Sequence, residues 1–373
     1  MPGRLALRAS VCCLCALVSS PIERTRADHS ASTSVYVRQD TNATRVIAPR
    51  IRVRAPVGGD ETHVDAAYSV DVWTSASVDI VASASQPVTE QRDELNLAAD
   101  HVFGDLRLAA AYRFSKEPDY ESHGGSLSLS LDLANKAATL SWFGGGSADQ
   151  VGRVGDRNFA EETSTLISGV SLTQVLDPDT IIQALYDITL VRGYQASAYR
   201  YVSFGSEGPC GELAPFCLPE RAPRERLRHA MSLRARRALS TLFSVGASYR
   251  FYLDDWGILS HTAKADVAWA PQPKSTISLS YRFYSQGAAD FYQPMYTEQE
   301  VGREHFTRDK ELSPLTSHRL ALEFDWLWEL GAGGSSLLTA LAVAPTFYSY
   351  ADFPMLKQAS AIEVTVVTGM EFP

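Results

Sequence analysis

Residues 241–292 constrain the fold of this chain more than any other stretch, because they contain three consecutive runs of strict apolar–polar alternation. In the first run, Tyr249 and Leu253 fall on one face, whereas Ser248 and Arg250 fall on the other. Successive side chains of a β-strand point to opposite faces of the sheet. Each run therefore predicts a strand with one apolar and one polar surface.

The length of these runs and the position of their aromatic residues distinguish a membrane barrel from a soluble sandwich. The runs extend over about 10–13 residues, whereas strands of globular sheets have about five or six and a tilted membrane strand needs about 9–11. Aromatic residues such as Trp269 and Phe283 bound the apolar face, as they do in the girdles of outer-membrane barrels. The segment predicts a β-barrel with its apolar face toward lipid.

The connections between predicted strands alternate in length along the chain. Tight turns such as Asp177–Asp179 alternate with long segments near 74–87, 144–162, 192–223 and 286–316. Short periplasmic turns and longer extracellular loops give a barrel this asymmetry. The sequence therefore predicts an all-β, membrane-spanning, antiparallel up-and-down β-barrel of about 16 strands, with 14 to 18 left open.

The N-terminus and the cysteines indicate export. Residues 1–27 resemble a cleaved signal peptide, with Arg4 and Arg8 before a short apolar run, and the barrel is predicted over residues 28–373. After cleavage only Cys210 and Cys217 remain, in a Gly/Pro-rich stretch. Such a pair in an exported chain predicts a disulfide, with metal binding as the alternative. The net charge of −9 argues against nucleic-acid binding.

Several stretches carry a family resemblance: YRFYLDDWGILSHT from Tyr249 to Thr262, YRFYSQGAADFY from Tyr281 to Tyr292 and GYQASAYRYV from Gly193 to Val202. With these spacings the chain resembles the outer-membrane barrel family catalogued as a domain of unknown function, number 3570. The resemblance covers the chain from about Ser34 to Ser317. It implies an exported Gram-negative barrel without an established biochemical activity.

Charged residues at inward positions of consecutive predicted strands are the first candidate site. The basic members are Arg228, Arg234, Arg236, Arg250, Lys264 and Arg282, and a further group is Arg319, Glu323, Asp325 and Glu363. A basic wall facing acidic groups would tune the ion selectivity of a pore. Charges that pair across strands and stiffen the wall are the alternative.

The segment DDWG–SHT, at the predicted hairpin top, is the second candidate. Asp254, Asp255, Ser260 and His261 suggest a hydrolase, but Ser260 and His261 are adjacent in a strand and point to opposite faces. We therefore expect no catalytic residues: Asp254 and Asp255 favour the turn, Trp256 is expected at the membrane interface, and His261 lies near the rim.

The loop after the third run is the last candidate. Its carboxylates include Asp290, Glu300 and Asp309, which could bind Ca²⁺ but lack the spacing of a known calcium loop, so a solvated loop without metal is expected. Its aromatic residues could guide an extended ligand such as a sugar, or serve as interface belt and loop packing.

Together these features predict an outer-membrane, porin-like channel or solute transporter of unknown substrate and no cofactor. The alternatives are a scaffold with a plugged lumen and, less favoured, an outer-membrane enzyme. The expected partners are outer-membrane lipid, a small solute and the barrel-assembly machinery, which the alternating last strand ending in Phe372 would engage. Oligomer formation stays open.

Overall fold

The alternating segments pair into one closed antiparallel barrel of sixteen strands. The structure, a computed structural model, describes residues 29–75, 88–208, 210, 216–331 and 334–372. The barrel strands are β1 (His29–Asp40), β2 (Thr44–Pro56), β3 (Thr62–Ser75), β4 (Val88–Phe103), β5 (Leu106–Glu117), β6 (Tyr120–Leu133), β7 (Ala138–Val151), β8 (Glu161–Asp177), β9 (Thr180–Gly193), β12 (Glu225–Ala238), β13 (Phe243–Asp254), β14 (Leu259–Gln272), β15 (Ser275–Gln286), β16 (Leu315–Leu330), β17 (Ser335–Tyr350) and β18 (Gln358–Phe372). Two short strands, β10 (Tyr201–Phe204) and β11 (Phe216–Pro219), form a separate hairpin.

Each barrel strand pairs with the next barrel strand along the chain, and β1 closes the barrel against β18. The β10–β11 hairpin lies between β9 and β12 in the chain and is not part of the barrel wall. The predicted fold and strand number are thereby confirmed. One loop is shorter than expected from the sequence: β7 continues to Val151 and β8 begins at Glu161. The glycines 144–146 suggested a loop, but they lie within β7, where a Cβ on Gly145 would come 2.8 Å from the Gly125 carbonyl oxygen.

The two faces of the barrel wall differ as the alternation predicts. Large apolar side chains such as Leu127, Met231 and Leu322 project outward and are exposed, as a lipid-facing wall requires. Aromatic pairs lie at the end with the short connections, where the Phe243 and Trp269 rings stack with their centroids 6.2 Å apart. This end carries the periplasmic girdle, and the long connections lie at the opposite, extracellular end.

Two of the long connections fold together into a cap at the extracellular end. We define the cap as residues 194–224 and 287–314, in the parts that the structure describes; it contains the β10–β11 hairpin and the 3₁₀ turns Glu298–Gly302 and Lys310–Leu312. Phe204 pairs with Tyr296, and Arg221 with Phe306, through backbone bridges. Val202, Phe204, Tyr296 and Phe306 are fully buried between the two segments, which therefore fold as one unit.

The described part of the chain contains no helix that is long and apolar enough to cross a membrane. The predicted signal peptide, residues 1–27, lies outside the described residues, and so does most of the predicted loop 74–87.

Candidate functional site: the lumen wall and the cap

A row of basic side chains crosses the inner wall of the barrel. Arg234 on β12 lies opposite Ser248 on β13, and Ser248 lies opposite Lys264 on β14. Lys264 in turn lies opposite Arg282 on β15. Neighbouring strands are about 4.8 Å apart, so these three cations follow one line of paired positions across four strands. We call Arg234, Lys264 and Arg282 the cation row.

Other predicted wall cations have acidic partners. Arg236 forms an ion pair with Asp266 on β14, and Arg250 Nη2 lies 3.6 Å from a carboxylate oxygen of Asp187 on β9. Neither acid is among the predicted lumen residues, although Asp266 falls in the inward phase of its strand. The wall of β12–β15 is therefore partly neutralised, and its uncompensated charge lies in the cation row.

The row continues onto β16, where Arg319 lies opposite Arg282. Arg319 donates to Glu363 on β18 with an Nε–Oε2 distance of 3.0 Å, so its charge is compensated.

Glu323 and Asp325 face the lumen closer to the periplasmic end of the same strand. Arg228 lies opposite Asp254 at the extracellular end of β12. The structure thus places all the predicted lumen residues on the inner wall, with acidic groups at one edge of the basic surface.

A buried ion-pair network holds the two segments of the cap together. Arg200 Nη1 lies 3.0 Å from Glu220 Oε1 and 2.7 Å from Asp309 Oδ2, and the Arg200 and Glu220 side chains are only 8% and 3% exposed. Glu220 also accepts hydrogen bonds from the Ser197 amide, at 2.7 Å, and from the Thr307 hydroxyl. Because Arg200 and Asp309 belong to different segments, this network joins them across the mouth of the barrel.

On one side, the cap is fastened through Tyr199. Its hydroxyl donates to Asp119 in the β5–β6 turn and accepts from the Val154 amide at 2.7 Å, while its ring packs near Trp73 of β3. Burial raises the pKa of Tyr199 well above its ordinary value, and the hydrogen bond to Asp119 acts in the same direction. The neutral phenol therefore stabilises this contact.

Carboxylates converge beneath the Tyr199 contact. Ligand atoms of Glu90, Glu117 and Asp119 lie within 4.8 Å of one another, the only such group in the described parts of the chain with the geometry to hold a metal ion. Arg92 Nη1 lies 3.9 Å from Glu117. No local sequence pattern predicts this group, because Glu90 on β4 is distant in the chain from Glu117 and Asp119.

On the other side, the DDWG motif fastens the cap. Trp256 is 5% exposed and packs edge-to-face on Phe291 with centroids 5.0 Å apart, while the Arg226 guanidinium lies 4.2 Å from its ring centroid. The expectation that Trp256 lies at the membrane interface is therefore wrong. The alternation could not reveal this, because the cap residues that cover Trp256 come from a distant loop.

The residues around Trp256 complete this contact. Asp254 is buried and forms an ion pair with Arg226, and its Oδ1 accepts from the Ile258 amide at 2.9 Å. The Asp290 amide donates to the Trp256 carbonyl at 2.9 Å. Gly257 has φ +81°, and a Cβ there would lie 2.2 Å from Asp290 Oδ1. Asp255 is exposed at the turn.

The Ser260 and His261 side chains are not brought together. Ser260 is buried on the inner side, whereas His261 projects outward, where its Nδ1 lies 2.6 Å from the Tyr249 hydroxyl. Asp254 is engaged by Arg226. These three residue types therefore do not form a nucleophile–base–acid arrangement at the hairpin top.

Most of the remaining candidates lie in the cap. Cys210 and Cys217 are joined by a disulfide. Glu300 accepts from the Thr297 amide, which lowers the pKa of that carboxyl, and Asp309 belongs to the buried network. Phe291, Tyr292, Tyr296 and Phe306 are buried in packing contacts, whereas Tyr281 and Phe283 face outward.

Comparison with solved structures shows the same fold in a bacterial outer-membrane protein. The chain is similar to a bacterial polysaccharide outer membrane secretin, with a TM-score of 0.54, 9% identity, and coverage of 93% of this chain and 99% of that one. It is also similar to OccK5 of Pseudomonas aeruginosa, with a TM-score of 0.45, 8% identity and coverage of 92% and 98%. The siderophore receptor PirA of Acinetobacter baumannii matches with a TM-score of 0.47 and 10% identity, over 88% of this chain and 54% of that chain.

No curated protein matches the chain significantly. The family described as "Protein of unknown function (DUF3570)" matches residues 31–169 and 159–333, which is most of the sequence and includes the cation row, the DDWG motif and the cap. The closed sixteen-strand barrel with an apolar outer face identifies an outer-membrane β-barrel of bacteria. The chain belongs to the DUF3570 family.

Proposed function

We propose that this barrel conducts anionic solutes across the outer membrane, with the cation row as its selective surface. The single observation that carries the proposal is that Arg234, Lys264 and Arg282 follow one line of paired positions on the inner wall. Within the described residues, none of the three has an ion pair. Like charges at opposite positions of a sheet are destabilising, and an anion in the lumen offsets that repulsion.

The surroundings of Arg282 support the same conclusion. Its Nε is buried and has no hydrogen-bond partner within the described part of the chain. A buried donor without a partner carries a desolvation cost, which an anionic ligand or a water molecule would remove. Lys264, directly opposite, is exposed to the lumen, so the two residues present N–H groups toward a solute from adjacent strands.

The position of the cap favours a channel whose extracellular opening is controlled by the cap. A barrel of sixteen strands encloses an aqueous interior unless loops fill it. The cap contacts the wall near β3 and the β5–β6 turn on one side and the β13–β14 turn on the other, and the Tyr292 hydroxyl reaches the Asp352 carbonyl in the β17–β18 connection at 2.9 Å. Opening of the cap would then set how often solutes pass.

The same cap favours a second candidate, a scaffold with a plugged lumen. Its buried network of Arg200, Glu220 and Asp309 is more extensive than a loose surface loop needs. A permanently closed cap would present a fixed surface to an external partner. The two candidates differ in whether the folded protein conducts.

Reversal potentials in planar bilayers under a salt gradient test the proposal. The double variant Lys264→Ala/Arg282→Ala removes two members of the row. Arg250, which forms an ion pair with Asp187, is left intact. Lys274→Ala is the matched control, since its ammonium lies in a periplasmic turn 3.0 Å from Glu329.

We expect wild-type protein and Lys274→Ala to prefer anions and the double variant to lose that preference. Cation preference in the wild type, or an unchanged reversal potential in the double variant, would reject the cation row. If wild-type protein does not conduct but a folded variant with a disrupted Arg200 network does, the protein is a capped channel. If neither the wild type nor that variant conducts, the scaffold is favoured.

A further inference from the structure

The outer face of the barrel carries a repeated contact that anion conduction does not involve. A tyrosine hydroxyl lies within hydrogen-bond distance of a histidine Nδ1 on the next strand in four places: Tyr112–His123 at 2.8 Å, Tyr186–His229 at 2.8 Å, Tyr249–His261 at 2.6 Å and Tyr281–His318 at 2.7 Å. In every pair the histidine lies opposite the residue two positions after the tyrosine. The contact is therefore one geometry repeated around the wall.

These pairs follow one line around the barrel. Across from Tyr186 lies Met231, and across from Met231 lies Phe251, two residues beyond Tyr249. Across from Tyr249 lies Ala263, and across from it lies Phe283, two residues beyond Tyr281. The offset is the same in both steps. Because barrel strands tilt, a level line shifts steadily along them, so the pairs lie at one height.

The height of this line lies in the upper part of the apolar band. On the periplasmic side of Tyr281, the outward residues Leu279 and Leu322 are exposed and apolar. On its extracellular side, the outward positions after Phe283 are the polar Ser285 and, on the next strand, Thr316. On β13 the apolar surface continues to Leu253. The pairs thus lie just on the hydrocarbon side of the polar edge.

The possible hydrogen bonds of tyrosine and histidine determine which polar group each pair presents to lipid. If the tyrosine donates to Nδ1, the only polar group left over is the Nε2–H of the histidine. If Nδ1 carried the proton instead, both the tyrosine O–H and the Nε2 lone pair would be left over. Unsatisfied polar groups in hydrocarbon are costly, so the first arrangement is favoured. Each pair then presents one N–H donor.

In one of the four pairs, the histidine Nε2 has a hydrogen-bond acceptor within the protein. In the pair on β5 and β6, His123 Nε2 lies 3.3 Å from Glu121 Oε1, so the protein itself supplies the acceptor. His229, His261 and His318 have no such partner at Nε2 in the described part of the structure. They lie on β12, β14 and β16, within a contiguous arc from β9 to β16.

We propose that the Tyr186–His229, Tyr249–His261 and Tyr281–His318 pairs bind the acyl carbonyl oxygens of outer-leaflet lipids through their Nε2–H groups. A lipid carries these acceptors where its acyl chains join the headgroup, which is the level at which the three donors lie. The arc is then a lipid-binding surface that holds a fixed layer of lipid at one depth.

The test compares unfolding in urea in two kinds of vesicle that differ only in lipid linkage: ester-linked phosphatidylcholine and its ether-linked counterpart, which lacks the carbonyls. In the three-pair variant, Tyr186, Tyr249, Tyr281, His229, His261 and His318 are all replaced by Phe. The matched control makes the same replacements in the fourth pair, Tyr112→Phe/His123→Phe, where Glu121 is the acceptor. If the three-pair variant does not fold, Tyr281→Phe/His318→Phe alone replaces it.

We expect the unfolding equilibrium constant of the wild type to rise on changing from ester to ether lipid, by about fivefold for each bond and about a hundredfold for three. The control variant should respond like the wild type, and the three-pair variant should respond little. A wild type and a three-pair variant that respond equally to the lipid linkage would overturn the proposal. So would loss of the response in the control variant alone.

Discussion

Replacement of Arg200 by Met should release the cap while leaving the barrel intact. Arg200 Nη1 contacts Glu220 and Asp309, which belong to different segments of the cap. The Arg200→Met variant keeps much of the side-chain volume but leaves two carboxylates without their cation. Removing one partner of a buried ion pair costs about 3–5 kcal/mol, because the remaining charge stays buried without compensation.

That cost falls on opening of the cap rather than on global unfolding, since the network lies entirely within residues 194–224 and 287–314. At about 1.4 kcal/mol for each factor of ten, the ratio of open to closed cap should rise by roughly two to more than three orders of magnitude. The barrel strands, whose backbone hydrogen bonds close a complete ring, should keep their protection.

Hydrogen exchange followed by mass spectrometry on the folded protein in vesicles measures this directly. Peptides from the cap should exchange much faster in Arg200→Met than in the wild type, whereas peptides from the strands should not change. Arg192→Met is the matched control, because Arg192 pairs with Glu225 where both side chains are more than half exposed, at 63% and 57%, and such pairs contribute about 0–1 kcal/mol. Equal exchange of the cap in the two variants would refute the role of the network.

Other predictions concern single positions. Asp266→Asn should strengthen anion preference in reversal-potential measurements, because it releases a lumen arginine from its ion pair; weaker preference would contradict the reasoning. Gly257→Ala should lower the thermal unfolding midpoint more than Gly155→Ala: both glycines have φ above +80°, but only the Cβ at 257 meets Asp290, at 2.2 Å, and equal midpoints would count against this contact. The raised pKa of Tyr199 means that its contribution to cap stability is complete below its ordinary value of about 10 and is lost as pH rises through the folded-state value. Conductance should therefore increase between pH 8 and strongly alkaline pH, and less so in Tyr199→Phe; a fall in conductance would contradict this sign.

The strand architecture was predictable because it follows from local alternation. A period of two residues assigns each side chain to one face, so the sixteen strands and the inward position of Lys264 and Arg282 could be inferred before any coordinates. The loop predicted at Gly144–Gly146 is wrong, since glycine favours loops unless a neighbouring strand approaches closely, as it does here.

The cap was not predictable in the same way, because its contacts join residues far apart in the chain. Arg200 and Asp309 are separated by 109 positions, and no local pattern links them. The burial of Trp256 depends on Phe291 from the cap, whereas its place at the hairpin top suggested the membrane interface. The sequence indicated two long connections near 192–223 and 286–316, but only their packing shows that they form one unit.

Solute flux into proteoliposomes tests the central claim most directly. Wild-type protein and Arg200→Met would be compared with an organic anion, an organic cation and a neutral solute of similar size. The proposed function predicts that the anion enters fastest and that Arg200→Met increases all three rates while the anion stays ahead. Equal rates for anion and cation, or no flux through folded Arg200→Met, would contradict a capped, anion-selective channel.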